Sequence, residues 1–340
     1  MQKFQVRTEI CFGEGALLAL ENISGKRIFI VTDPYFKENG IADRVASLCK
    51  GAVEIFSRVV PDPPVSVVAE GLARIQSFGA DTLIALGGGS AIDCAKGMVA
   101  LGKERPYFIA IPTTSGTGSE VTSFAILTHE GAKHPLVDPD LRPDMAILDD
   151  SFTECLPPSL IADAGMDVIT HCVEAIGGKN STVFTNALAV SAYDRVMKLL
   201  PASFDGDKTV RGTIHYAATM AGIAFDRSGL GLCHGLSHAL GGMFHIPHGK
   251  LNGILLPKVM AYNRSHAPYD LLGSNPIFDV TRLRKRLRLP QTLQDAGIKA
   301  QDILSHADTL CEVALSDPCT GTNPRPVTPD ACRTILRACI

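Results

Sequence analysis

The sequence contains no tryptophan, and only 6% of its residues are aromatic. A surface that stacks nucleobases depends on such side chains, so a reader of single-stranded nucleic acid is not expected. Basic residues are not in excess either: Lys and Arg number 32 against 35 Asp and Glu, a formal net charge of −3. That balance lacks the electrostatic footprint of a phosphate-backbone binder, so no nucleic-acid partner is expected. No uninterrupted apolar run reaches about 18 residues, so no membrane span is expected. The opening segment MQKFQVRTEICFG has no apolar core of the secretory kind. Ten cysteines occur without a C-x-x-C pair or regular spacing. Cys11, Cys94, Cys155, Cys172, Cys233 and Cys311 sit in apolar or helical-looking stretches. They read as reduced thiols of a cytoplasmic protein rather than as a disulfide framework.

What is present is 340 residues, 46% hydrophobic and 20% charged, enough for two domains with substantial cores. Up to about Asp150, short β-like runs (KRIFIVTD, AVEIFSRV, DTLIALGGGS, YFIAIPTTSG, DMAILDD) alternate with helical stretches such as VSVVAEGLARIQSFG. This alternation predicts an α/β N-terminal domain with a mostly parallel sheet. Beyond it, SLIADAGMDVITHCVEAIGG, FTNALAVSAYDRVMKLL and TIHYAATMAGIAFD read as helices, so the C-terminal half is expected to be all-α. The Pro-Pro-Ser of LPPSLIAD marks the boundary, giving domains of 1–154 and 155–340. The basic RLRKRLR stretch lies in an amphipathic pattern and reads as a solvated helix face.

Two glycine- and hydroxyl-rich loops follow apolar runs. Gly87-Gly88-Gly89-Ser90 joins a strand to a helix start, where backbone N–H groups can meet a pyrophosphate. It lacks the G-x-G-x-x-G pattern, and an ordinary tight turn would look the same. The second loop runs from Pro112 through Thr113, Thr114 and Thr117 to Glu120, and two such loops at strand ends fit ligand binding beyond a parallel sheet. Asp33, ending the run RIFIVTD, is either a cap or a carboxylate for ribose hydroxyls that disfavours a 2′-phosphate.

The strongest pattern is MDVITH together with HGLSHALGGMFHIPHG. Asp167 and His171 lie four apart, one turn on one helix face, and His234, His238 and His248 follow. Asp167, His171, His234 and His248 form a mixed O/N set suited to a divalent transition metal such as Fe(II) or Zn(II). HGLSH shares the His spacing of the zinc-protease motif, but Gly235 stands where that chemistry needs a Glu. His238 and His245 are left as imidazoles able to relay protons near neutral pH. His129, His134, His215, His266 and His306 lack such company and read as surface or structural.

Taken together, GGGSAIDCAKG, PTTSGTGSEVT, ADAGMDVITHCVEA, GLGLCHGLSHALGGMFHIPHGKLNGILLP and DPCTGTNPRPVT resemble the iron-containing (group III) alcohol dehydrogenase family. Within that family the chain is most similar to the 1-propanol dehydrogenase type associated with bacterial microcompartments. The resemblance implies a dehydroquinate synthase-like α/β domain for NAD(P), a helical metal domain and an active site in the cleft between them. It places metal ligands at Asp167, His171, His234 and His248, and a proton carrier at His238. It places cofactor contacts at Asp33, Gly88, Gly89, Ser90, Thr113, Thr114, Thr117, Thr122 and Lys133, and a pocket residue at Cys319. With Phe124, Met166 and Phe244, Cys319 gives an apolar pocket for a short primary alcohol or aldehyde, such as 1-propanol or propanal.

The resemblance therefore implies hydride transfer between such a substrate and NAD, with NADP disfavoured. It also implies Fe(II), or Zn(II) in its place, a homodimer or larger homo-oligomer, and a cytoplasmic location that extends to a microcompartment. Two departures stand out. The segment after Tyr262 is shorter than the family's, near residues 265–285, and PDPPVS replaces the commoner P-x-P-[TS] step, which puts a cofactor contact at Asp62 in doubt. The rival readings are a glycerol, 1,2-diol or 1,3-diol dehydrogenase of the same family, a dehydroquinate synthase-like lyase, and a non-catalytic nucleotide-binding or shell-associated protein.

Overall fold

The structure is a computed structural model and describes residues 3–130 and 132–340. The chain forms two compact units, Met1–Cys155 and Leu156–Ile340. The first contains β1 (Glu9–Phe12), β2 (Arg27–Val31), α1 (Pro34–Glu38), α2 (Ile41–Ser47), β3 (Ala52–Phe56) and α3 (Val65–Phe78). It continues with β4 (Thr82–Gly87), α4 (Gly89–Leu101), β5 (Tyr107–Pro112), β6 (Phe124–His129), β7 (Ala132–Val137) and β8 (Met145–Leu148).

Six strands pair in the order β1-β8-β5-β4-β2-β3, all parallel. Both faces of this sheet are covered, which is why its inner strands are continuous apolar runs rather than alternating ones. Phe29, Val31, Leu83, Ala85, Phe108 and Ala110 join one core with α3 and α4. The alternate residues Ile28, Ile30, Ile84, Leu86, Ile109 and Ile111 join the other core, with Ala42 and Val45 of α2.

All five strand segments read from the sequence are strands here, while β1 and the antiparallel β6–β7 pair are additions. β1 has four residues at a sheet edge, and β7 carries Pro135, so neither has a strong strand pattern. Ala125 and Leu127 of β6 are buried, and a Cβ placed on Gly97 of α4 would lie 2.9 Å from Leu127 Cδ1. The hairpin is thus held by close packing on a helix that offers no side chain at the contact.

The second unit is helical throughout: α5 (Pro158–Gly177), α6 (Val183–Phe204), α7 (Arg211–Ser228), α8 (Leu232–Phe244), α9 (His248–Asn263), α10 (Pro276–Arg286), α11 (Ala300–Ser305), α12 (Ala307–Ser316), α13 (Pro318–Gly321) and α14 (Pro329–Ala338). Pro157 and Pro158 occupy the cap and first turn of α5, where a missing N–H costs nothing. From Gly165 onward α5 is buried on every side, its polar Asp167, Thr170, His171 and Glu174 included. Its contact with α9 is closest at Gly249, where a Cβ would stand 2.0 Å from the Asp163 carbonyl oxygen. Among the described residues no helix is long and apolar enough to cross a membrane.

The basic stretch at α10 is divided by burial. Arg282, Lys285 and Arg286 face solvent, but Arg284 is buried and its Nη1 donates to the carbonyls of Gly253 (3.0 Å) and Ile254 (3.1 Å). Pro257 lies inside α9 and has no N–H for the carbonyl four residues before it, which is that of Gly253. Arg284 supplies the missing donor from the neighbouring helix. Replacing it with Met is expected to destabilise the helical unit by about 1.5–3 kcal/mol, the scale of hydrogen bonds from a charged group. At roughly 2–4 °C per kcal/mol for a unit of this size, thermal melting would register the loss, and an unchanged Tm would refute the assignment.

Candidate metal centre and dinucleotide loops

The two loops predicted at strand ends lie side by side. β4 and β5 are neighbours in register from Thr82↔Tyr107 to Gly87↔Pro112, and Thr113 N–H donates to the Gly87 carbonyl at 3.0 Å. Gly87 has φ +150°, and a Cβ there would lie 2.7 Å from Ala91 Cβ. A Cβ on Gly88 would meet Thr114 Oγ1 at 3.2 Å, and one on Gly89 would meet Thr117 Cγ2 at 2.8 Å. The glycines therefore let the Thr loop close against the start of α4, where Ser90 follows. Backbone donors of a helix start and hydroxyls of a second loop share one surface, the arrangement a pyrophosphate needs.

Asp33 caps α1, accepting from Phe36 N–H at 3.2 Å, and its Oδ2 lies 3.9 Å from the Cβ position of Gly87. It is beside the glycine loop and serves as a cap as well. Partial burial raises its carboxyl above the ordinary value, against backbone N–H bonds that act to lower it. Thr113 and Thr122 are buried. The Thr122 hydroxyl accepts from Lys96 Nζ at 3.1 Å, and the same ammonium donates to the Phe124 carbonyl at 2.7 Å. Asp93 takes Ser119 Oγ at 2.9 Å and Ile126 N–H at 3.1 Å. This buried acid–base pair on α4 ties the Thr loop and β6 in place. Lys133 pairs with Asp62, Nζ to Oδ1 2.7 Å, and Asp62 itself has φ +51°.

In the helical unit, Asp167 and His171 project from α5, His234 and His238 from α8, and His248 from the first turn of α9. Three imidazole Nε2 atoms surround one oxygen, Asp167 Oδ1: His248 at 3.5 Å, His171 at 3.7 Å and His234 at 3.8 Å. Buried among them, His234 Nε2 has no hydrogen-bond partner, a costly state for a polar atom unless a cation completes it. A carboxylate oxygen facing three imidazole nitrogens is an O/N donor set for a divalent transition metal, and the residues fit such an ion.

Partners outside this set fix its tautomers. Glu174, three residues beyond His171 on α5, holds His234 Nδ1 at 2.6 Å, so the proton sits on Nδ1 and the Nε2 lone pair faces Asp167. The same carboxylate accepts Gly231 N–H (2.9 Å) and Cys233 N–H (2.7 Å), while Asn323 Oδ1 accepts Leu232 N–H (3.2 Å). The exposed donors at the start of α8 are thereby satisfied from a distance. Asn252 Nδ2 lies 2.8 Å from Asp167 Oδ1 and 3.0 Å from His248 Nε2.

His238 stacks on His248 with ring centroids 5.0 Å apart, and its Nδ1 meets Asp317 Oδ2 at 2.8 Å. Asp317 also caps α13 through Cys319 N–H, which brings Cys319 into one cluster with His238. The sequence reading missed Glu174, Asn252 and Asp317 as site residues. The spacing D-x3-H-x2-E was available for Glu174, and Asp before Pro is a cap signal for Asp317, but nothing near Asn252 marked it.

Burial opposes charge throughout the centre. The three imidazoles outweigh burial at Asp167 and hold its carboxyl below the ordinary value. At His234 burial lowers the pKa, but the Glu174 bond and the charges of Glu174, Asp167 and Asp317 raise it overall. Burial, with neighbouring histidines, holds His248 well below the usual range.

Other expected residues lie elsewhere. His245 is exposed at the C-cap of α8 with φ +55° and, among the described residues, shares no ring contact or hydrogen bond with the cluster. Its departure follows from the turn that ends α8, which carries the side chain into solvent. Met166 is fully buried, 3.7 Å from the Cβ position of Gly253, so it is core rather than open pocket wall. Phe244 packs edge-on against His306, and Phe124 opens β6 half-buried.

Comparison with known proteins agrees with this architecture. Residues 7–150 match the family model "iron-containing alcohol dehydrogenase", and residues 161–340 match the C-terminal model of the Fe-containing alcohol dehydrogenase family. The chain is 35% identical to the NADPH-dependent butanol dehydrogenase of Clostridium saccharobutylicum, covering 99% of this chain and 97% of that protein. It is also 35% identical to the 1-propanol dehydrogenase PduQ of Salmonella typhimurium, covering 99% of each. Among solved structures, the iron-containing alcohol dehydrogenase of Thermococcus thioreducens superposes with a TM-score of 0.92 at 31% identity, over 99% of each chain. A 1,3-propanediol oxidoreductase superposes with a TM-score of 0.93 at 30% identity, over the whole of both chains. The chain belongs to the iron-containing alcohol dehydrogenase family and is an oxidoreductase that acts on alcohols.

The alignment with the propanol enzyme runs over 366 positions against 340 residues here, so at least 26 positions lack a counterpart in this chain. In the stretch where the sequence reading located the shortening, the chain makes one 3-10 turn, Tyr269–Leu272, before entering α10.

Protons compete with metal for imidazole nitrogen. Because the His234 pKa is raised in the metal-free centre, His234 takes up a proton at a higher pH than an ordinary histidine. Metal affinity is therefore expected to begin falling at a pH above the ordinary histidine value of about 6.5 and to go on falling below it, with His248 protonating after His234. Chelator competition between pH 5 and 8 measures this, and an affinity independent of pH would contradict it.

Proposed function

We propose that this protein is an iron-dependent, NAD-linked dehydrogenase that interconverts short primary alcohols and aldehydes, with 1-propanol and propanal as representative substrates. The observation carrying the reading is the convergence of three imidazole Nε2 atoms on Asp167 Oδ1 in a chain that also brings two dinucleotide-type loops together. Asp167, His171, His234 and His248 would hold the metal, with Fe(II) preferred over Zn(II). When bound, iron supplies Lewis acidity toward the substrate oxygen, and the nicotinamide exchanges the hydride.

The chain's own residues do the rest. Glu174 keeps the His234 proton on Nδ1, leaving Nε2 as a donor atom. Asp317 does the same for His238, so its Nε2 is the nitrogen that takes or returns the substrate's hydroxyl proton. Gly88, Gly89, Ser90, Thr113, Thr114 and Thr117 would receive the pyrophosphate. Asp33 would receive the adenosine ribose and disfavour a 2′-phosphate, and Lys133 on β7 would add a further contact to the cofactor. Cys319, grouped with His238 and Asp317 in the helical unit, would present apolar surface to the substrate's carbon chain.

A diol reading has one specific support, the likeness to a 1,3-propanediol oxidoreductase. The sequence resemblance further leads us to propose assembly as a homodimer or larger homo-oligomer and a cytoplasmic location with recruitment to a microcompartment.

NADH formation from 1-propanol, 1,3-propanediol and glycerol by anaerobically purified, Fe(II)-loaded protein tests the reading. 1-Propanol is expected to give the highest kcat/KM. Absence of turnover with all three alcohols and with propanal plus NADH would overturn it. His234→Ala is expected to lose both metal and turnover, whereas His238→Ala should keep its metal and lose about 10²- to 10⁴-fold in kcat. Full metal content and normal turnover in His234→Ala would remove the ligand assignment.

A further inference from the structure

Asn252 is fully buried on α9, one turn beyond His248, and each atom of its amide is committed. Its Oδ1 faces two donors, Ser237 Oγ at 2.5 Å and Cys233 Sγ at 3.7 Å, both on α8. Asp167 fixes the amide's orientation, because a flipped amide would set Oδ1 against a carboxylate oxygen that can only accept. Its Nδ2 is consequently aimed at Asp167 Oδ1 (2.8 Å) and His248 Nε2 (3.0 Å), two atoms of the donor set that come from different helices. The contact with His248 requires an unprotonated Nε2, so the ring proton belongs on Nδ1 and the amide occupies the Nε2 lone pair until an ion takes it.

We propose that Asn252 is a positioning residue for metal capture: it holds Asp167 and His248 in their ligating orientation and tautomer before the ion arrives. Without an ion, a buried carboxylate oxygen and a buried imidazole lone pair would each lack a donor, and their side chains would turn to find one. The amide supplies both bonds from one nitrogen. Binding of the ion redirects the His248 lone pair, while the bond to Asp167 is kept. Ser237 and Cys233 act one step further out, by preventing rotation of the amide. The inference rests on the reading of Asp167 and His248 as ligands.

The test uses the full-length, metal-stripped protein and measures Fe(II) and Zn(II) affinity by chelator competition, alongside the thermal midpoint of the metal-free form. Asn252→Ala is expected to bind either ion about 10- to 100-fold more weakly, the range for losing a partner of a metal ligand. Ser237→Ala touches no ligand and leaves Asn252 in place, so it should fold normally and weaken binding in the same direction by a smaller factor. It keeps the test open if Asn252→Ala fails to fold. Asn252→Ser retains a short donor and should recover part of the affinity.

Wild-type affinity in both Ser237→Ala and a folded Asn252→Ala would overturn the proposal. So would a Tm loss in these variants with no change in affinity. If the wild-type protein binds neither ion, the assignment of the ligand set fails instead, a result distinguishable from failure at Asn252 alone.

Discussion

A carboxylate buried in the middle of a helix governs the helical unit. Asp167 lies inside α5 with almost no access to water, and an uncompensated charge there would cost several kcal/mol. Compensation has to come from other elements, and it does: His171 one turn on, His234 from α8, His248 and Asn252 from α9. His171, His234 and Asn252 are themselves polar and buried and His248 is half-buried, so the demand passes outward to Glu174, Ser237 and Cys233. The centre is therefore a network in which three imidazole Nε2 atoms converge on Asp167 Oδ1 and partners from other helices orient them.

That network also adds directional bonds to the apolar packing that holds α5, α8 and α9 together. Glu174 serves the start of α8 and the orientation of His234 with one carboxylate. α9 begins at the centre because Pro247 and Gly249 let its first turn meet the α5 backbone, where any side chain at 249 would collide with the Asp163 carbonyl. Further along, Arg284 repairs the carbonyl that Pro257 leaves open. Backbone irregularities and site chemistry are thus parts of one packing problem. The α/β unit solves a different one, using glycines at the end of β4 to let the Thr loop at 113–117 close against the start of α4.

Much of this was readable in the residues. Continuous apolar runs announced the parallel strands, since only a sheet covered on both faces needs them. The i, i+4 spacing of Asp167 and His171 announced one ligating face, and the glycine and threonine loops announced themselves by following strands. β1 and the β6–β7 hairpin were not legible, because an edge strand of four residues and a strand containing Pro135 owe their state to their neighbours. His245 shows the limit from the other side: it is close to His248 in sequence, yet the helix cap turns it to solvent. Arg284, indistinguishable in sequence from the solvated Arg282 and Arg286, is buried only because α9 offers it carbonyls.

The sequence by itself determined the family, the α/β-then-α order and the identity of the residues that could ligate a metal, because these depend on residue type and local spacing. Tertiary structure alone decided which nitrogen of each histidine carries the proton and which oxygen of Asp167 is the focus. It also decided which silent residues, Glu174, Asn252 and Asp317, enforce that choice. The physical reason is that tautomer and orientation are set by hydrogen-bond partners that, apart from Asn252 one turn beyond His248, lie 60 to 85 positions away in the chain.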